Sequence, residues 1–177
     1  VSDTVEQDGT ETDCINGSPS YDAWYEMYGD SSVNDGYEVA LSTSSYPVAP
    51  GDVMDGSISL SGSTWTLSIA DTTKGWSYAK TVANYAPAPA QSSAEWILER
   101  PTVCANYTCS QSALATLTTT SAVTFTSAAA TASGTSAPVS NYTDTAIAMV
   151  TGGSSSTTLA TPGALSSGGG TFTVSDG

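Results

Sequence analysis

Apolar and polar residues alternate in short runs along this chain instead of recurring at helical spacing. Asp22-Ala23-Trp24-Tyr25-Glu26-Met27-Tyr28 alternates throughout. Residues 53–60 follow the turn signal Pro50-Gly51-Asp52, residues 64–70 follow Ser61-Gly62-Ser63, and residues 76–82 follow Lys74-Gly75. Further strands are expected over 94–99, 122–126, 145–150 and 171–174, with no amphipathic helix of three turns between them. The Ser/Thr/Gly/Ala-rich stretches 128–139, 152–158 and 166–170 read as loops. Pro87 and Pro89 interrupt pairing just before the strand at 94–99 and mark an exposed loop beside a cleft. The pattern predicts an all-β fold, an antiparallel sandwich, in a single domain spanning 1–177.

Length agrees, since 177 residues suffice for one domain with a real core. Charge narrows the choice of partners. Seventeen acidic residues stand against Lys74, Lys80 and Arg100, with no His and a net charge of −14, so a nucleic-acid backbone or an anionic membrane surface is repelled. In strong acid the carboxylates become neutral and only those three side chains keep a charge, so self-repulsion stays small. Such a chain has no buried His to charge and few ion pairs to lose on acidification, which suits an acidic medium. Solubility alone is the competing explanation of the acidity. No apolar run of about 18 residues occurs, and the N-terminus lacks a basic segment followed by an apolar one, so neither a span nor a leader is expected. Sequons at Asn16, Asn106 and Asn141 fit an exported, extracellular glycoprotein whose signal has been removed.

The cysteines are Cys14, Cys104 and Cys109. Cys104 and Cys109 bracket four residues that can close a local disulfide loop, leaving Cys14 free or paired outside the chain. Three thiols without His or a paired Cys-x-x-Cys unit make a poor zinc site, so no metal is expected.

Candidate chemistry sits in Ser93-Ala94-Glu95-Trp96-Ile97-Leu98-Glu99, whose alternation puts Glu95, Ile97 and Glu99 on one face. Together with Val5-Glu6-Gln7-Asp8-Gly9-Thr10 and the segment Asp22 to Tyr28, it resembles the core motifs of the glutamic peptidases, or eqolisins. Pro50-Gly51-Asp52-Val53-Met54, residues 66–76 and Ala122-Val123-Thr124-Phe125-Thr126 are similar, in the same order, to segments of bacterial and archaeal members. The resemblance implies two curved antiparallel sheets of the concanavalin or lectin-like kind, with a peptide-binding cleft and no cofactor. By motif, Gln7 and Glu95 would be its catalytic pair.

Peptide hydrolysis needs a water deprotonated as it attacks, a stabilised oxyanion and a proton for the leaving amine. In the mechanism the resemblance implies, Glu95 is base and then acid. Gln7 offers an N–H to the oxyanion and a carbonyl to the water, and carries no charge that acid removes. A glutamate with the reference pKa of about 4.3 is ionised at moderately acidic pH, so an optimum below neutrality follows. In the second motif, Asp22, Trp24, Glu26 and Tyr28 share one face and Ala23, Tyr25 and Met27 the other. The first set combines acids with aromatics and suits the cleft, where with Ile97 it would contact substrate. Glu99 either supports Glu95 or pairs with Arg100 or solvent.

The chain departs from the family at its start, because strands that precede the catalytic Gln in relatives have no room before Gln7. Some members are cut into a light and a heavy chain that stay associated, and this chain resembles the heavy one. The expected partners are a polypeptide substrate and an N-terminal light chain from the same precursor, or strand exchange with another copy. Cys14 is a candidate link to such a chain. An alternative from another class is a noncatalytic extracellular sandwich serving adhesion, glycan binding or strand-exchange assembly.

Overall fold

In a computed structural model of the chain, which describes residues 4–85, 89–101, 114–117, 122–152 and 155–177, the first element is a long hairpin. Strand β1 (Val5–Ile15) runs antiparallel to β2 (Ser18–Tyr28) across an Asn16-Gly17 turn. Both turn residues have positive φ, 52° and 79°. Two such residues match the right-handed twist of the strands, and Asn-Gly is the pair that adopts this backbone at least cost. The short β3 (Val39–Ala40) pairs with the other side of β2, through Trp24 with Ala40 and Tyr25 with Val39, giving the order β1-β2-β3.

A second antiparallel sheet follows as a meander of β4 (Met54–Ser61), β5 (Thr64–Asp71) and β6 (Trp76–Ala83). Every second residue of β5, namely Trp65, Leu67, Ile69 and Asp71, is buried, which is the period-2 signature read in the sequence. Trp65, Leu67 and Ile69 meet Ala23, Tyr25 and Met27 of β2 in one core that also takes in Val33, Leu41, Val82 and Tyr85. Two sheets thus face each other across shared apolar side chains, as in a sandwich. The Tyr25 and Tyr78 rings stack between them at 5.7 Å, and Tyr46 meets both Tyr78 and Trp76 edge-on at 5.4 Å. At the β5–β6 turn the buried Asp71 accepts the backbone N–H groups of Thr73 and Lys74 at 2.8 and 2.9 Å. The Lys74 ammonium bonds Asp52, lies 3.7 Å from Asp71, and holds the Asp52 carboxyl below the usual carboxylate range.

These elements form the first of two compact units, Val1–Ser92; the second is Ser93–Gly177. Within the second, β10 (Met149–Val150), β11 (Thr158–Pro162), β12 (Phe172–Asp176) and β7 (Val123–Phe125) form an antiparallel sheet in that order. Phe125 and Phe172 are register partners and stack at 5.1 Å. The stretch 128–139, expected as a loop, contains the hairpin of β8 (Ala129–Ala132) and β9 (Thr135–Pro138), turned by Ser133-Gly134 with φ of 52° and 77°. Its Ala, Thr and Ser side chains lack the apolar alternation that reveals a strand. The opposite correction applies to 94–99, which belongs to no strand. Its exposure does alternate, with Trp96 and Leu98 half-buried and Glu95, Ile97 and Glu99 exposed, but no sheet ladder joins it among the described residues. Cys104, Cys109, Asn106 and Pro87 lie outside the described residues.

Candidate active site

The register of the β1–β2 hairpin decides which motif residues meet. Gln7 stands opposite Glu26, Gly9 opposite Trp24, and Glu11 opposite Asp22. Because Ala23, Tyr25 and Met27 point into the core, strand alternation puts this whole set on the other face of the sheet. The Gln7 Nε2 donates to the Glu26 carboxylate. An ionised carboxylate accepts but cannot donate, so this bond fixes which end of the Gln7 amide is nitrogen. One amide N–H and the carbonyl oxygen are left for other partners.

Gly9 makes room for the aromatic wall beside Gln7. A Cβ at Gly9 would lie 2.9 Å from Trp24 Cζ2 and 3.1 Å from Cε2, so the indole lies across the bare backbone of β1. Any larger residue would displace it.

Negative charge concentrates on the same face. Glu11, Asp22 and Glu38 each place a carboxylate oxygen within 4.8 Å of the others. Burial, reinforced by Glu11, Asp22, Glu26 and Asp13, pushes the Glu38 carboxyl up to about 7. Burial and then Asp13 raise that of Asp22. A proton on Glu38 relieves this crowding below neutral pH. Three oxygen ligands of this kind also suit a hard divalent cation, although acidic groups gather on protein surfaces without one.

Of the residues singled out in the sequence, Gln7, Asp22, Trp24 and Glu26 come together on one face. Tyr28, at the end of β2, is 51% exposed opposite Val5. Glu95 and Ile97 belong to the second unit and are exposed. Ser93 Oγ donates to Glu95 Oε1 at 3.0 Å, and Arg100 donates to the Ala115 carbonyl. Cys14 is free and exposed on β1. Sequence reasoning missed Glu11 and Glu38. Glu11 continues the alternation of Gln7 and Gly9 and was open to discovery; Glu38 gains its meaning only when β3 is laid against β2.

The fold and this face can be set beside known proteins. A profile of the Peptidase A4 family matches residues 1–174. Aspergilloglutamic peptidase from Aspergillus niger, known from a crystal structure, superposes with a TM-score of 0.75 at 24% sequence identity, covering 98% of this chain and 90% of that one. No curated protein matches the chain. The structural likeness carries the β-sandwich fold, and the profile, which spans nearly the whole sequence, carries the family. The chain therefore belongs to the Peptidase A4 family, the glutamic peptidases.

Proposed function

We propose that the chain is a secreted acid endopeptidase in which Gln7 and Glu95 act as a dyad. The observation that carries this reading is the Gln7 amide held by Glu26 on a face of acids and one indole. Glu26 orients the amide, so the remaining N–H of Gln7 serves the oxyanion and its carbonyl serves the attacking water. Glu95 takes the proton of that water and returns it to the leaving amine, so no proton is gained or lost over the cycle. Trp24 supplies an apolar surface for a substrate side chain, joined by Asp22, Tyr28 and Ile97 as further contacts.

Among the described residues β1 lies at an edge of its sheet, which supports an accompanying strand, from an N-terminal light chain or another copy, since sheet edges accept strands. Export, with glycosylation at Asn16 and Asn141 in exposed positions, belongs to the same reading.

The test is hydrolysis of a denatured protein across about pH 2 to 7, chosen to span the carboxylate range, with and without pepstatin. Activity in acid that survives pepstatin, and that falls by about 10²- to 10³-fold in Gln7→Ala, is the expected result. Inactivity of the intact protein at every pH, with any N-terminal chain present, would replace this reading with the noncatalytic sandwich.

A second expectation concerns Gly9. Gly9→Ala forces the Trp24 indole away from β1, and an off-rotamer shift of about 1 kcal/mol corresponds to several-fold in binding. The measurement is a KM and kcat determination together with tryptophan fluorescence. KM is expected to rise several-fold with kcat nearly unchanged, alongside a shifted emission. An unaltered KM would remove Trp24 from the substrate site.

A further inference from the structure

Between the residues of β1 that face Glu26 and Trp24 stand two acids pointing the other way. Glu6 and Asp8 are opposite Met27 and Tyr25, whose side chains lie in the core, so β1 turns two carboxyls toward the second sheet of its own unit. The seat for Asp8 is built into that sheet. Its Oδ1 would lie 2.6 Å from a Cβ at position 56, a clash avoided only because that residue is Gly56. Backbone N–H groups of Ser57 on β4 and Ser68 on β5 reach the carboxyl. Yet among the described residues Asp8 Oδ2 and Glu6 Oε1 are buried without a hydrogen-bond partner.

We propose that β1 is latched onto the β4–β5–β6 sheet by Glu6 and Asp8 in their neutral form, and that raising the pH loosens the strand that carries Gln7. The register partner of Asp8 is Tyr25 from β2, and Asp55 of β4, of like charge, acts on it through the sheet from the alternate face. Asp71 is the one acid of β5, at its C-terminal end beside Lys74. Tyr85 senses the charge of Glu6, with Asp30 and Glu26 beyond it. From β6 the cation is Lys80, which sits over the Tyr25 ring at 5.9 Å. Among the described residues, no ion pair neutralises either inward acid; those formed join Lys74 to Asp52 and Asp71.

A carboxylate enclosed without a cation is costly, and the neutral acid costs far less. Accordingly, burial pushes Asp8 up to about 7, with Asp55 adding to the rise and the two N–H groups opposing it, and burial also raises Glu6. The sign follows from the direction of the shift. A folded-state value raised above an ordinary 3.8 makes the contribution fully present below that ordinary value and lost as pH climbs to about 7. Between those limits each pH unit costs about tenfold in the docking equilibrium per proton. The consequence for activity rests on the reading of Gln7 as catalytic; the latch itself does not.

The experiment is amide hydrogen exchange on the intact protein from about pH 4 to 8, spanning both limits, with rates corrected for their intrinsic pH dependence. Protection in β1 is expected to fall on the order of 100-fold between about pH 5 and 7 while that in β5 changes less. In the double variant Glu6→Gln/Asp8→Asn it should persist at neutral pH. Wild-type protection in β1 that ignores pH, or a double variant that loses it in step with wild type, overturns the latch. Should the double variant not fold, carbon-13 titration of the wild-type carboxyls decides, and an Asp8 titrating in the ordinary carboxylate range overturns the proposal. Hydrolysis measured over the same series separates the two readings. A protein inactive throughout but losing β1 protection as described ends the peptidase reading and keeps the latch. An active protein whose alkaline limit moves upward in the double variant supports both.

Discussion

Glu95→Gln is expected to lower kcat/KM for peptide hydrolysis by about 10³- to 10⁴-fold, at the upper end of what a general acid–base contributes, because one side chain serves both proton transfers. The amide has the size of the carboxyl but cannot take a proton from water at any accessible pH. It keeps an acceptor for the Ser93 hydroxyl that now bonds Glu95. Glu95 is exposed and joins no sheet ladder among the described residues, so the change should cost within about 0.5 kcal/mol of stability. A large kinetic loss at constant thermal midpoint therefore separates chemistry from folding. Progress curves at the acidic optimum and a melting curve for each protein make the comparison. Retention of activity to within about tenfold would mean that another group is the base, since a water-activating carboxylate is worth at least about 10².

Leu67→Ala is the second large expectation, and it acts on the sandwich instead of the site. Leu67 is 1% exposed in the middle strand of the β4–β5–β6 sheet, opposite Ile58 and Lys80. Loss of its isopropyl group removes buried contacts on the inner face of the sheet and leaves a cavity that flanking strands are too constrained to fill, for about 2 to 5 kcal/mol. Met27→Ala truncates a fully buried side chain contributed by β2 to the same core and belongs to the same range. Ser59→Ala, on the outer face of β4 and exposed, should stay within about 0.5 kcal/mol. Denaturant unfolding of the three proteins at one acidic pH gives the comparison. A Leu67→Ala midpoint equal to that of Ser59→Ala would contradict the core assigned to this face.

Strand periodicity was readable wherever one face is apolar. β2 and β5 alternate because Ala23, Tyr25 and Met27, and Trp65, Leu67 and Ile69, must leave water while their neighbours stay in it. β1 escapes that reading because its inward face carries Glu6 and Asp8. Its polar character on both sides resembles a loop, although Asn16-Gly17 between two runs was a hairpin signal in plain view. The hairpin of β8 and β9 escapes for a different reason. Its side chains are small, so burying them releases little free energy and leaves little pattern.

By itself the sequence determined the all-β class, the sheet at residues 54–83, the two faces of β2 and the motifs that identify the family. Those properties follow from local alternation and from the identity of nearby residues. Only the tertiary structure decided that Gln7 donates to Glu26, that Glu38 sits among the acids of β1 and β2, and that Asp8 fills the space left by Gly56. Each of these pairs elements far apart in the chain: 19 residues separate Gln7 from Glu26. Strand register and sheet packing set such contacts. A register shift of one residue would turn every one of those side chains to the opposite face.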